Sequence, residues 1–177
     1  MNLDKLNNLI SVIRELKVEN INPKKLKAEF FDILEYLYVM GVTDCQKELG
    51  IDLTPKAKSL DKEYSGETIG QKFDKYVETG DTEALITLID SEGIRALNEG
   101  GFETAELVKD EDILKTWVTM NDLRVRDTHW LLEGVTLPIN EKFTTVDGDE
   151  ALYPHGFSNA SNNANCRCIL TYRQGSL

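Results

Sequence analysis

Two histidines and three cysteines are all the imidazole and thiol chemistry in this chain of 177 residues, and four of the five lie in its last third. By type, His129, His155, Cys166 and Cys168 make a full tetrahedral zinc set. Thiols at i and i+2 of an extended segment point the same way, so Cys166 and Cys168 can face one ion. The spacing is tighter than in a standard zinc finger. Three readings follow for "CRC". The first in rank is a pair of buried reduced thiols on the same face as Leu170 and Tyr172. A structural zinc held with the histidines comes second, and a Cys166–Cys168 disulfide last, because its ring would be very tight.

The histidines carry a second chemistry. His129 lies one turn after Val125 and one turn before Leu132, which reads first as a hydrogen-bonded core histidine. Arg124, Arg126 and Asp127 beside it resemble a polar pocket. With Arg126, and with His155 as a second proton carrier, that pocket contains the parts for metal-independent acid–base cleavage of RNA. Nothing in the spacing singles out nuclease chemistry.

The elements that must position these residues are legible in outline. Leu3, Leu6, Ile10, Ile13 and Leu16 recur as one face of a helix. In "INPKKLKAEFFDILEYLYVMG", Asn22 is the expected N-cap, Pro23 the first helical residue and Gly41 the stop. Thr43 or Asp44 then caps a short continuation in which Cys45 is a packing residue. Thr54 and Pro55 repeat the cap-then-proline signal. Ile69, Phe73, Tyr76 and Val77 predict a helix closed by Gly80. Asp81 or Thr82 opens another, with Leu85, Leu88, Ile89 and Leu97 on its apolar face and the Gly100–Gly101 pair at its end. The acidic stretch over 109–114 reads as a solvated helix start. "ILKTWVTM" has strand texture, and 121–133 predicts a helix of about three turns that presents Val125, His129 and Leu132. Trp117 and Trp130 read as core fillers. Three strand-like runs follow, with a turn at Asp147–Gly148, then a polar loop over 155–165 and a closing strand, "CRCILTYR".

With 31 acidic against 20 basic residues, a net charge of −11 argues against non-specific binding of nucleic acid by the chain as a whole. Local basic patches remain at Lys24, Lys25 and Lys27, and at Arg124, Arg126, Arg167 and Arg173. No run approaches a membrane span, and the amino terminus lacks a signal peptide's apolar core. Both point to a cytoplasm that keeps thiols reduced.

Taken together, "KTWVTMNDLRVRDTHWLLEG", "YP" and "NCRC" resemble the signature of the phage Mu F-like minor head proteins, the phage head morphogenesis family. The residues that carry it are Trp117, Asp122, Arg126, His129, Gly134, Asn165, Cys166, Arg167 and Cys168. Upstream, Ser91–Glu92 resembles the family's Thr-Glu pair, and "VMGVTDCQKELGI" its Leu-Gly helix. The resemblance covers 30–173. Two departures stand out: no arginine precedes Ser91–Glu92, and a longer polar loop separates Pro154 and His155 from Asn165. The resemblance implies a head-protein module without a fused toxin or transferase domain. Such a module acts in head morphogenesis or genome delivery, in the host cytoplasm and then the virion head. Its implied partners are portal, major capsid or scaffold protein, with packaged DNA touched only through a local basic patch and no membrane contact.

The expected fold is α+β: a helical region over 1–105 serving as a partner-binding arm, then a lobe over 106–177 of three to five mostly antiparallel strands packed on one helix. In that lobe Asp122 and Arg126 bridge helix to strand and the two cysteines sit beneath His129. A zinc-stapled interaction module is the remaining alternative.

Overall fold

A computed structural model describes residues 3–17, 20–56, 58–108 and 112–175. Helix α1 (Asp4–Leu16) buries Leu6, Leu9, Ile10 and Ile13, as its three-and-four spacing requires, while Leu16 stays exposed at its end. Helix α2 (Pro23–Leu49) begins as expected, with the Asn22 side chain accepting from the Lys25 N–H. Gly41 does not end it. The helix continues through Thr43 and Asp44 to Leu49, and Gly50, in a left-handed conformation, is the stop.

The reason for Gly41 is packing. Helix α4 (Thr82–Ala105), capped by Asp81, crosses α2 so closely that a Cβ on Gly41 would lie 2.0 Å from the Leu97 carbonyl oxygen. In return, a Cβ on Gly100 would lie 2.1 Å from the Tyr38 carbonyl oxygen. The glycine pair at 100–101 is therefore an approach surface inside α4 and not its end.

Between these helices the chain is less helical than its sequence suggests. Thr54 and Pro55 start no helix; the segment runs irregularly and is tied down by Gln46 donating to the Leu53 carbonyl and Lys58 pairing with Glu103. A two-residue hairpin, β1 (Glu63–Tyr64) and β2 (Glu67–Thr68), leads into α3 (Ile69–Thr79). That helix starts on a reciprocal Thr68–Gln71 capping box and stops at left-handed Gly80.

After α4 the lobe of antiparallel strands begins. Residues 109–111 lie outside the described residues, and Ile113 and Leu114 already belong to β3 (Ile113–Val118) rather than to a helix start. Strand β3 is the centre of a three-stranded antiparallel sheet, between β4 (Thr136–Pro138) and β7 (Ile169–Gln174). β5 (Phe143–Thr144) and β6 (Glu150–Ala151) pair around the Asp147–Gly148 turn. The expected helix over 121–133 is reduced to a turn and a single helical turn, α5 (Asp127–Trp130), and the polar loop contains another, α6 (Ala160–Asn163).

Two apolar clusters fill the molecule, and α2 and α4 contribute to both. The first gathers Leu6, Phe30, Leu34, Phe73 and Ile89; the second gathers Trp117, Phe102, Phe143, Phe157 and Tyr172 with all three cysteines. Trp117 is fully buried, whereas Trp130 is 39% exposed and is no core filler. The outer margin of β7 rests on the helices: Asn98 Oδ1 accepts from the Leu170 N–H and Glu48 accepts from the Tyr172 N–H. β4 forms the other margin and carries Pro138, which has no N–H to offer.

Candidate metal centre

The turn after β3 delivers the histidine. Asn121 adopts a positive φ of 52°, and Asp122 Oδ1 accepts from the Arg124 N–H, a local bond that competes with helix formation. Arg126 is extended, and only from Asp127 does the chain coil, turning His129 inward. Its ring is buried, edge-on to Trp117 at 5.4 Å and tilted against Phe157 at 5.5 Å. Gly134, at φ 71°, then returns the chain, its N–H donating to the Trp117 carbonyl.

The thiols arrive from the other side. Asn165 has a positive φ of 55°, and its N–H donates to Ser91 Oγ. From there Cys166, Cys168, Leu170 and Tyr172 are buried in alternation, although the paired strand itself begins only at Ile169. Arg167, on the opposite face, donates to both carboxylate oxygens of Asp122 at 2.7 and 2.9 Å. This two-pronged pair fastens the turn leading to the imidazole to the segment bearing the thiols. Arg126 does not bridge to the strand; its guanidinium bonds the Ser161 and Ala164 carbonyls at the end of α6.

His129 Nδ1 lies 3.5 Å from the Sγ of both Cys166 and Cys168, and the three ligand atoms are all within 4.8 Å of one another. The neighbouring Cys168 thiol, with Arg126 and Arg167 nearby, favours the Cys166 thiolate and lowers its pKa. Cys168 is pushed the other way, by its bond to Cys166 and by burial. The two thiols thus differ in acidity while facing one imidazole. Two sulfurs and one ring nitrogen are the donor types that suit zinc and other thiophilic divalent ions, so the cluster is compatible with a structural metal site.

A family model described as "Phage Mu protein F like protein" matches residues 56–171, well over half of the chain. This chain belongs to the phage Mu protein F-like family. Among curated proteins it is similar to "Minor head protein GP7" of Bacillus phage SPP1, with 29% identity over 105 residues, 59% of this chain and 34% of that protein. It is also similar to "NAD(+)--arginine ADP-ribosyltransferase EFV" of Enterococcus faecalis, with 39% identity over 57 residues, 32% of this chain and 12% of that protein. The match therefore spans about a third of the first relative's length and about an eighth of the second's. No solved structure matches.

In this Mu F-like chain the fourth expected ligand stands apart. His155 is buried with φ 71°, and its Nε2–H donates to the Cys166 carbonyl at 2.8 Å, so it holds the backbone of a cysteine and does not join the ligand cluster. Burial lowers its pKa to about 4, which keeps it neutral. The two histidines also open on different cavities. His129 borders a space of about 10 Å³ with Arg124, Arg126 and Arg167. His155 borders one of about 250 Å³ with Tyr64, Arg95 and Glu99.

The cause is the polar loop, which folds around Asp149 as an acceptor for Ser158, Asn159 and Asn162, and swings His155 behind the cysteines. Of the expected basic patches, Arg124, Arg126 and Arg167 come together. Lys27 is taken by Asp74 and the Gly70 carbonyl.

Several buried polar residues that support the centre carried no sequence signal as such. Asn98 donates to the Cys168 carbonyl and accepts from Leu170; Arg95 is buried between Glu92 and Glu99. Lys115 is fully buried and donates to the Ile139 and Leu152 carbonyls, its ammonium 5.0 Å above the Phe102 ring. Only the regular spacing of α4 hinted that polar residues at 95, 98 and 99 would turn inward.

Proposed function

We propose that this chain is a minor protein of a tailed-phage head, acting in head morphogenesis or genome delivery through contact with portal, capsid or scaffold protein. The supporting observation is that the family match over 56–171 takes in the strand lobe, in which Trp117, Asp122, His129, Gly134 and the Asn165–Cys168 run are held against one another. The similarity to a curated minor head protein points the same way.

The surface for such contacts is the exposed side of α2. Val39 is exposed there, in a groove of about 530 Å³ that Phe31, Tyr38, Val42 and Pro55 also line. A partner that covers this face stabilises the complex by removing apolar area from water. Assembly would take place in the host cytoplasm, with the protein then residing in the virion head. No described helix is long and apolar enough to cross a membrane.

Mass spectrometry of purified virions and co-purification with coexpressed portal, capsid and scaffold proteins test this directly. The chain is expected in virions or bound to one of the three, with Val39→Asp weakening the capture. Absence from virions together with no capture by any of them would overturn the reading.

A further inference from the structure

We propose that His129, Cys166 and Cys168 bind a thiophilic divalent ion of the zinc class as a three-ligand centre, with its fourth position open to an exchangeable anion entering past Arg124. Among the described residues no fourth His, Cys, Asp or Glu donor joins the three, and His155 is already committed to the Cys166 carbonyl. The centre is therefore one donor short of the tetrahedral set that closes a structural zinc site.

The space beside the ligands is about 10 Å³, enough for roughly one water-sized ligand atom. It reaches the surface at Arg124, whose side chain is 77% exposed.

The charges around that space select the ligand. Two thiolates and a neutral imidazole cancel a divalent ion. The charged side chains lining that space are Arg124, Arg126 and Arg167, with the Asp122 carboxylate paired to Arg167, so the lining keeps a positive balance. An anion at the fourth position offsets that balance, and a neutral water does not. Arg126 and Arg167 are held in place by the α6 carbonyls and by Asp122, so their charge is fixed before any ion or anion arrives.

Cobalt(II) makes the geometry visible. The full chain, loaded with one equivalent of cobalt, is expected to show thiolate-to-metal charge-transfer bands and the intense visible bands of tetrahedral cobalt, which azide then shifts in a saturable titration. His155→Gln should keep both the cobalt spectrum and its azide response, whereas Cys168→Ser should lose the two-thiolate signature. Arg124→Ala, a change at an exposed side chain, should weaken azide about three- to fivefold without releasing cobalt.

Failure to bind cobalt or zinc would overturn the proposal. So would a cobalt spectrum indifferent to azide, or one that disappears in a folded His155→Gln protein, since either marks a closed four-ligand site. None of these outcomes bears on whether the chain enters the phage head, so the two readings stand or fall separately.

Discussion

Replacing Gly41 by alanine puts one methyl group where α2 and α4 touch backbone to backbone. The new Cβ would lie 2.0 Å from the Leu97 carbonyl oxygen and 3.0 Å from the Gly101 nitrogen, whereas ordinary contact begins at 3.4 Å. Neither neighbour is a side chain that can rotate away, so the helices must separate by more than 1 Å locally. Even a 0.5–1 Å gap forfeits about a quarter to a half of the dispersion attraction of the atoms involved. Overpacking of this kind costs about 3 kcal/mol at the upper end of its usual range. Alanine recovers about 1 kcal/mol through its better helix propensity. The net loss of about 2 kcal/mol should lower the urea midpoint by about 1 M and Tm by about 4–8 °C.

Gly100→Ala, which meets the Tyr38 carbonyl oxygen at 2.1 Å, should behave alike. The double variant should cost less than the two single losses combined, because the first substitution already parts the helices. Gly101→Ala meets the Tyr172 ring and hydroxyl at 3.1 and 3.2 Å and the Gly41 carbonyl oxygen at 3.4 Å, and should be the mildest of the three. Urea unfolding followed by far-UV circular dichroism measures all four. An unchanged or raised midpoint for Gly41→Ala would refute the close-approach argument.

The buried polar groups yield three further expectations. Burial holds the Lys115 ammonium down to about 8, against about 10.4 in an unfolded chain. Between those values the unfolded chain binds more protons, so the contribution of Lys115 to stability rises with pH over that window. Lys115→Met should remove that rise, seen as the difference between variant and parent in urea midpoints at about pH 7.5 and 10. Asn98→Ala strands the Leu170 N–H and the Cys168 carbonyl, costs about 2–4 kcal/mol, and should speed hydrogen exchange at Leu170. The Arg167 guanidinium keeps the Asp122 carboxyl down near 2, so the stabilisation from this pair is complete above about pH 4 and fades as pH falls through 2. An NMR titration of that carboxyl should find the low midpoint, and Arg167→Gln should move it back toward the ordinary range.

Legibility in the sequence followed the physics of each element. α1 and α3 were readable because their apolar spacing answers to a single buried face, and Asn22, Asp81 and Gly80 act by local chemistry that needs no tertiary partner. Gly41 and Gly100–Gly101 misled, because a glycine that ends a helix and one that admits a neighbouring backbone look the same in one dimension. The stretch over 121–133 has helical periodicity, but Asn121 and Asp122 divert the backbone, which leaves Leu123 fully exposed. The thiol pair and His129 were legible as a cluster, since alternation fixes where Cys166 and Cys168 point. The place of His155 was not, because it depends on how a polar loop coils around Asp149. Lys115 gave no warning, and Arg95 only the spacing of α4, since charged side chains are normally found in solvent.

One margin of the three-stranded sheet is covered by Asn98 and Glu48, and the other, β4, is only three residues long and carries Pro138, which offers no N–H. The consequence is a rule about recognition. Main-chain pairing is indifferent to sequence and would let a sheet with a bare margin zip onto any extended segment, including another copy of itself. With that route narrowed on this sheet, docking there depends more on side chains and their relief than on main-chain pairing.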